Sequence, residues 1–267
     1  QHFTFLRTAI EQRVQSSDGT AKYLFTLHDG CQVEGVLIPS GQRVTACISS
    51  QVGCALKCAF CATGTLGFTR HLHFSEIFDQ YMLMNREAEQ LYGHAISNIV
   101  YMGMGEPLLN YENVMESVRL ITAPAGPGLS PSRITLSTVG IAEGIRRLAD
   151  DGFKPEVALS LHCADELKRS LRMPVTRSNN FAMLQDALRY LHEKTGKRIT
   201  IEEYNRICRE SVMEFTGKWE QLTRQMGYWV NMDDPYITYD NKYIETLWWM
   251  LSELYKKGLL YKGFTIQ

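Results

Sequence analysis

Between Arg43 and Glu203 short β-branched runs alternate with amphipathic stretches, and this alternation limits the possible folds of the chain more than any other feature. Strands are predicted at residues 44–49, 96–102, 133–138, 156–162 and 198–202. Each but the last is followed by a helix-like stretch, such as 75–91 or 111–122. Strands that recur across helices pair in parallel through right-handed crossovers. The predicted fold class is therefore α/β, a (βα) barrel or part of one with parallel strands, with a short N-terminal β extension before it and a mainly helical C-terminal segment after it. Ligands of such folds collect at the C-terminal strand ends.

The segments with chemical potential fall at those ends. Cys54, Cys58 and Cys61 follow the first strand in QVGCALKCAFCATG, Gly103-Met104-Gly105-Glu106-Pro107 follows the second, Ser137 closes the third, and Ser160-Leu161-His162 closes the fourth. Thiolates this close in sequence can converge on a single metal centre, and three protein ligands leave one position open for a substrate or cofactor. The alternative is a structural zinc site, normally closed by four ligands at paired spacing. No fourth ligand is evident: His71 and His73, in GFTRHLHF, read as surface histidines at the start of a helix. Glycines let backbone approach a ligand, and Glu106 can accept from the ammonium of a bound amino acid. A plain strand-to-helix turn fits the same glycine pair.

With 267 residues, a formal net charge of -1 and 45% hydrophobic residues, the chain is of ordinary globular composition. A run of about 18 apolar residues and a signal-peptide pattern are both missing, so no membrane association and a cytoplasmic setting are expected. Seven cysteines, three of them in one turn, fit ligand and reactive thiols in a reducing compartment better than a disulfide framework. Neutral charge argues against unspecific nucleic-acid coating and leaves room for a local basic surface.

The C-x3-C-x2-C turn, with Phe60 before its last cysteine, resembles the signature of radical S-adenosylmethionine (SAM) enzymes. Read together, RVTACISSQVGCALKCAFCATG, GMGEP, LSTVG and ALSLH resemble the RlmN/Cfr family, radical SAM enzymes that methylate carbon 2 or carbon 8 of an RNA adenine; the resemblance runs over residues 17–202. It implies a partial radical SAM barrel in which Cys54, Cys58 and Cys61 hold a [4Fe-4S] cluster, while Gly105, Glu106, Ser137, Ser160, Leu161 and His162 hold SAM. It implies methylation of adenine carbon 2 in 23S rRNA and tRNA, an electron donor such as flavodoxin or ferredoxin, and action as a monomer. Cys47 matches a cysteine that resolves a covalent enzyme–RNA adduct, and Glu34, in QVEGVLIP, matches a carboxylate that takes the proton from the modified carbon. From the residues alone, Cys47 reads as a buried thiol packed like a small hydrophobe, or as a nucleophile if its pKa is lowered. Glu34 reads as an exposed strand carboxylate that only its neighbourhood could make a base. Cys31 and Cys163 have no evident role.

Past Glu202 the pattern changes. The family's second reactive cysteine, a methyl carrier near the C terminus, has no matching motif there, nor has the last barrel strand with its SAM-contacting asparagine. Instead YNRICRESV, MGYWVNMDDPYITYDNKYIETLWW and KGLLYKGFTIQ resemble an internal piece of isoleucyl-tRNA synthetase over residues 204–267, a stretch that holds all four tryptophans. The piece carries neither of the synthetase's ATP-binding signatures, so no ligase activity is expected, and Cys208 within it is not read as the methyl carrier. The chain also starts inside what resembles the family's linker. The expected organisation is a remnant of the N-terminal region with a β extension (1–42), the partial barrel (43–203) and the synthetase-like fragment (204–267). The expected function is a radical SAM RNA methyltransferase that does not complete methyl transfer, with an inactive chimeric fragment as the alternative. A parallel barrel cut after its fifth strand leaves an unpaired edge and an open core.

Overall fold

The computed structural model describes residues 8–196, 216–226 and 241–260. The chain divides into two compact units, Gln1–Arg198 and Ile199–Gln267. The first unit begins with an antiparallel meander of β1 (Ala9–Gln15), β2 (Ala21–Thr26), β3 (Gln32–Ser40) and β4 (Arg43–Cys47). A small hairpin, β5 (Gln51–Gly53) with β6 (Phe68–His71), follows and encloses the short helix α1 (Ala62–Thr65). Next come α2 (Phe74–Tyr92), β7 (Asn98–Tyr101), α3 (Tyr111–Thr122), β8 (Ile134–Thr138), α4 (Ala142–Asp150), β9 (Glu156–Leu159), α5 (Glu166–Arg172) and α6 (Phe181–Thr195). The main sheet has seven strands in the order β1-β2-β3-β4-β7-β8-β9. β4, β7, β8 and β9 run parallel, with Cys47 opposite Val100, Tyr101 opposite Leu136 and Ser137 opposite Ala158.

The two-residue period of a strand separates the faces of this sheet. Val33, Leu37, Val44, Ala46, Ile99, Ile134 and Leu136 have no exposed surface and form one core with Ile77, Met84 and Ala88 of α2, Val114 and Ile121 of α3, and Ile145 and Leu148 of α4. Residues one step away, Glu34, Val36, Thr45, Cys47, Val100, Thr135, Ser137 and Ala158, line the other face and remain partly exposed. α2 starts at His73, whose side chain and backbone form a reciprocal capping box with Glu76, and ends at Gly93 with φ 77°.

The parallel strands lie where the apolar runs place them, with shorter ends. The run expected over 156–162 stops at Leu159, because the chain curls there: the Leu161 N–H donates to the Leu159 carbonyl at 3.0 Å, the Cys163 N–H to the Leu161 carbonyl at 2.7 Å, and His162 takes a left-handed φ of 56°. The strand expected at 198–202 lies outside the described residues. β4 pairs with β3 on one side and β7 on the other, so the sheet is continuous from the expected extension into the parallel part. In the second unit the described residues form α7 (Thr216–Gln225) and α8 (Asn241–Lys256). No helix of the described residues is long and apolar enough to cross a membrane.

Candidate active site

The cysteine turn hangs between β5 and β6. It leaves β5 at Gly53, where φ is 73° and a Cβ would stand 1.9 Å from the Gly67 carbonyl oxygen; that oxygen instead accepts from the Cys54 N–H at 2.7 Å. Lys57 adopts φ 51°, the Cys61 N–H donates to the Cys58 carbonyl at 3.1 Å, and Cys61 stands at the N-terminal cap of α1. The result is a curled segment with Cys54 and Cys58 buried and Cys61 partly exposed. Burial pushes the Cys54 and Cys58 thiols up, and the negative charges of Glu106 and of the neighbouring sulfurs push the same way. Two buried thiols whose ionisation their surroundings oppose are donors that a cationic metal centre would relieve.

A buried polar run fastens this turn to the segment after β7. The Ser49 hydroxyl donates to the Glu34 carbonyl at 2.6 Å and accepts from the Met104 N–H at 2.8 Å. Gln80 of α2 holds the Ser49 backbone at both its N–H and its carbonyl. Asn110 donates to the Ser50 and Leu72 carbonyls, 2.8 Å each. Gln51 accepts from the Glu106 N–H at 2.8 Å, and its side chain fills the space that a Cβ on Gly105, at φ 100°, would enter.

Glu106 itself is 2% exposed. Its carboxylate accepts from the Leu108 N–H at 3.1 Å, the Thr138 hydroxyl at 2.7 Å and the Val139 N–H at 2.9 Å. Burial nonetheless keeps its pKa above the usual carboxylate value, against the pull of those bonds. With about four lone-pair sites on a carboxylate, one remains for a further donor.

A cavity of about 290 Å³ opens where these pieces meet. Cys54, Cys58, Cys61, Gly105, Glu106, Ser137, Ser160 and His162 all line it, as do Met102, Thr138 and Val139. Ser137 and Ser160 face each other at 3.2 Å between hydroxyls, and Phe60 stacks on His162 with ring centroids 4.4 Å apart, joining the cysteine turn to the end of β9. The remaining expected residues lie elsewhere. Leu161 is 40% exposed beside the cavity and does not line it. Cys47 ends β4 on the open face, and burial drives its thiol up to about 11, with a Met102 backbone hydrogen bond acting in the opposite sense. The lowered pKa that would make it a nucleophile is therefore absent in this state. Glu34 lies on the same face in a salt bridge to Lys22 at 2.7 Å, both side chains about half exposed. His71 and His73 are exposed, at the end of β6 and the start of α2.

The sulfurs line one cavity without meeting at one point: among the described residues no three His, Cys, Asp or Glu side chains could hold a single ion. A tetrahedral zinc with bonds of about 2.3 Å needs sulfurs about 3.8 Å apart. The donor set nonetheless suits an iron–sulfur cluster by its chemistry, three cysteine thiols bordering one cavity.

The sequence did not point to Gln51, Asn110, Thr138 or Arg169. A polar Ser-Ser-Gln run directly ahead of the first cysteine was the available signal for Gln51.

Residues 48–204, more than half of the chain, match the radical SAM superfamily model. The probable dual-specificity RNA methyltransferase RlmN of Cytophaga hutchinsonii is 48% identical over 201 residues, covering 75% of this chain and 55% of the relative. Its Thermotoga maritima namesake is 39% identical over 234 residues, covering 87% of this chain and 67% of the relative. The crystal structure of a radical SAM methyltransferase from Sphaerobacter thermophilus superposes with a TM-score of 0.69 at 41% identity, covering 72% of this chain and 56% of that one. The chain belongs to the RlmN family of the radical SAM superfamily. It spans little more than half the length of most curated relatives it matches, such as the Cytophaga protein. Residues 182–266 match a second model, tRNA synthetases class I (I, L, M and V), which overlaps the first from 182 to 204. Membership of the superfamily implies a [4Fe-4S] cluster and SAM as cofactors.

Proposed function

We propose that the first unit seats a [4Fe-4S] cluster on Cys54, Cys58 and Cys61 and SAM in the adjoining cavity, as the core of an RNA adenine methyltransferase acting on carbon 2 in 23S rRNA and tRNA. The observation that carries this reading is that one cavity is lined at once by Cys54, Cys58 and Cys61 and by Gly105, Glu106, Ser137, Ser160 and His162. When bound, the cluster and SAM supply one-electron reductive chemistry at a sulfonium, fed by a donor such as flavodoxin or ferredoxin.

The residues of the chain divide the remaining work. The free lone pair of Glu106 would accept from the ammonium of SAM, and the facing hydroxyls of Ser137 and Ser160 would hold its other polar groups. Gly105, with φ 100° and no Cβ to collide with Gln51, lets the backbone run close beneath the cavity. Cys47 and Glu34 share the open face of the sheet beside the mouth, where an RNA base would be presented: the thiol would attack once ionised and the carboxylate would take a proton. Past Cys163 the only cysteine is Cys208, outside the family's methyl-carrier motif. We therefore propose that this polypeptide reductively cleaves SAM without completing methyl transfer, and that residues from about 204 onward are a joined synthetase fragment.

Anaerobic reconstitution tests the reading. The expected result is about four iron and four sulfide per chain and 5'-deoxyadenosine released from SAM under reduction, both abolished when Cys54, Cys58 and Cys61 are replaced by Ala. Uptake of zinc in preference to iron and sulfide would overturn it. Methyladenosine formed by this polypeptide alone would overturn the claim of incompleteness.

A further inference from the structure

Arg169 is fully buried and the largest such side chain of the described residues, yet no described carboxylate forms an ion pair with it. Glu166, one turn away on its short helix, is engaged with the Phe181 N–H at 3.0 Å and reaches Arg169 only through space. A buried cation without a counter-charge is costly to keep. Its place in the fold gives the reason for keeping it.

The guanidinium donates to four oxygens: Nε to the Leu161 carbonyl at 3.0 Å, Nη1 to the Thr176 hydroxyl at 2.7 Å, and Nη2 to the Val139 carbonyl at 2.5 Å and the Ser160 carbonyl at 3.4 Å. Val139 belongs to the loop after β8, and Ser160 and Leu161 to the loop after β9; Val139, Ser160 and the adjoining His162 line the cavity. The helix that carries Arg169 is fixed to the cysteine turn, because the Ala59 N–H donates to the Arg172 carbonyl at 2.8 Å and Cys58 packs against Met173 and Val175. The helix that bears the positive charge is thus tied to the segment that bears Cys58.

We propose that Arg169 is a positioning residue of this site: its planar fork pins the two loops into one cavity wall, and its fixed charge favours the more negative, reduced state of a cluster seated on Cys58 and its neighbours. The inference rests on the cluster-and-SAM reading above. It involves one transferable electron, taken in the test from dithionite through mediators, and no bond of the protein is made or broken.

Two variants of the full chain separate fork from charge. Arg169→Lys keeps the charge and loses the planar fork, whereas Arg169→Gln loses both. After reconstitution, SAM affinity measured by equilibrium dialysis is expected to fall about tenfold in both variants. In a redox titration followed by electron paramagnetic resonance, Arg169→Gln is expected to show a tenfold lower ratio of reduced to oxidised cluster at a fixed solution potential, a negative shift of about 59 mV. Arg169→Lys is expected to stay near the parent potential. Equal shifts in both variants, or parent-like values in both assays, would overturn the proposal. If neither variant folds by circular dichroism, Thr176→Val decides, since it frees one arm of the fork and keeps the charge: weaker SAM binding at an unchanged potential supports the role, and unchanged binding refutes it. A parent chain that takes up no iron and sulfide refutes the site reading instead, so the two failures stay distinct.

Discussion

On β8, Leu136 has no exposed surface and lies within the helix-covered core, while the next residue, Ser137, points the other way and lines the cavity. The same division runs along β7, where Ile99 is sealed and Val100 is not, and along β4, where Ala46 is sealed and Cys47 is not. One face of the sheet is therefore sealed and the other open, and the strand period divides the residues between them, except that Tyr101 and Thr138 at the ends of β7 and β8 are buried yet line the cavity.

Leu136→Ala and Ser137→Ala test that division on adjacent residues. Leu136→Ala empties a closed core position and is expected to cost about 4 kcal/mol in urea-unfolding experiments, with SAM affinity per folded molecule unchanged. Ser137→Ala is expected to cost under about 1 kcal/mol in stability and to weaken SAM binding about fivefold, the value of one hydrogen bond of about 1 kcal/mol. If Ser137→Ala destabilised as much as Leu136→Ala, or if Leu136→Ala weakened SAM binding in the folded protein, the two faces would not be separable.

An intermediate effect is expected where the site hairpin is fastened to the covered side. Glu76 of α2, with its side chain 1% exposed, receives two Arg70 hydrogen bonds at 2.8 and 2.9 Å, another from the His73 N–H at 2.9 Å, and a contact with His28 at 3.1 Å. Arg70, on β6, also binds Asp29 at 2.6 Å. Burial pushes the Glu76 carboxyl up, but the bonds from Arg70 and His73 outweigh it and leave its pKa below the ordinary 4.5. A depressed carboxylate contributes stability that is present above the ordinary value and lost as the pH falls through the lowered one. Arg70→Leu is therefore expected to cost about 2 to 3 kcal/mol at pH 7, in the lower part of the range for broken buried pairs because Arg70 is a quarter exposed. The difference from the parent should shrink as the pH is lowered below 4.5. A pH-independent difference would show that packing, not the ion pair, holds the hairpin.

The covered face was the legible one. Parallel strands sealed beneath helices read as apolar β-branched runs, and four such runs became β4, β7, β8 and β9. The cysteine turn was legible because its chemistry is local in sequence. The hairpin around it was not, since β5 and β6 have three and four residues and an irregular register, too short for any period to show. Arg169 was hidden for a different reason: its four acceptors are mostly backbone carbonyls, which carry no residue identity, and they come together only in three dimensions. The raised thiol of Cys47 likewise depends on burial by the assembled sheet, which no neighbour in sequence encodes.

The smallest effect is expected on the open face itself, at the pair formed by Lys22 of β2 and Glu34 of β3. The two residues are diagonal across the antiparallel register, with Leu24 opposite Glu34 and Lys22 opposite Val36, and the side chains are 54% and 47% exposed. Solvent and salt screen such a bridge, so Lys22→Ala should alter stability by no more than about 0.5 kcal/mol, and less at 1 M salt than at 0.1 M. Cluster loading should be untouched, because nothing in the turn depends on Lys22. What the substitution changes is the freedom of the Glu34 carboxylate, which the Lys22 ammonium holds at 2.7 Å. A salt-independent loss above about 1.5 kcal/mol would mean that the open face also carries structural load, and the separation of stability from chemistry would then end at β3.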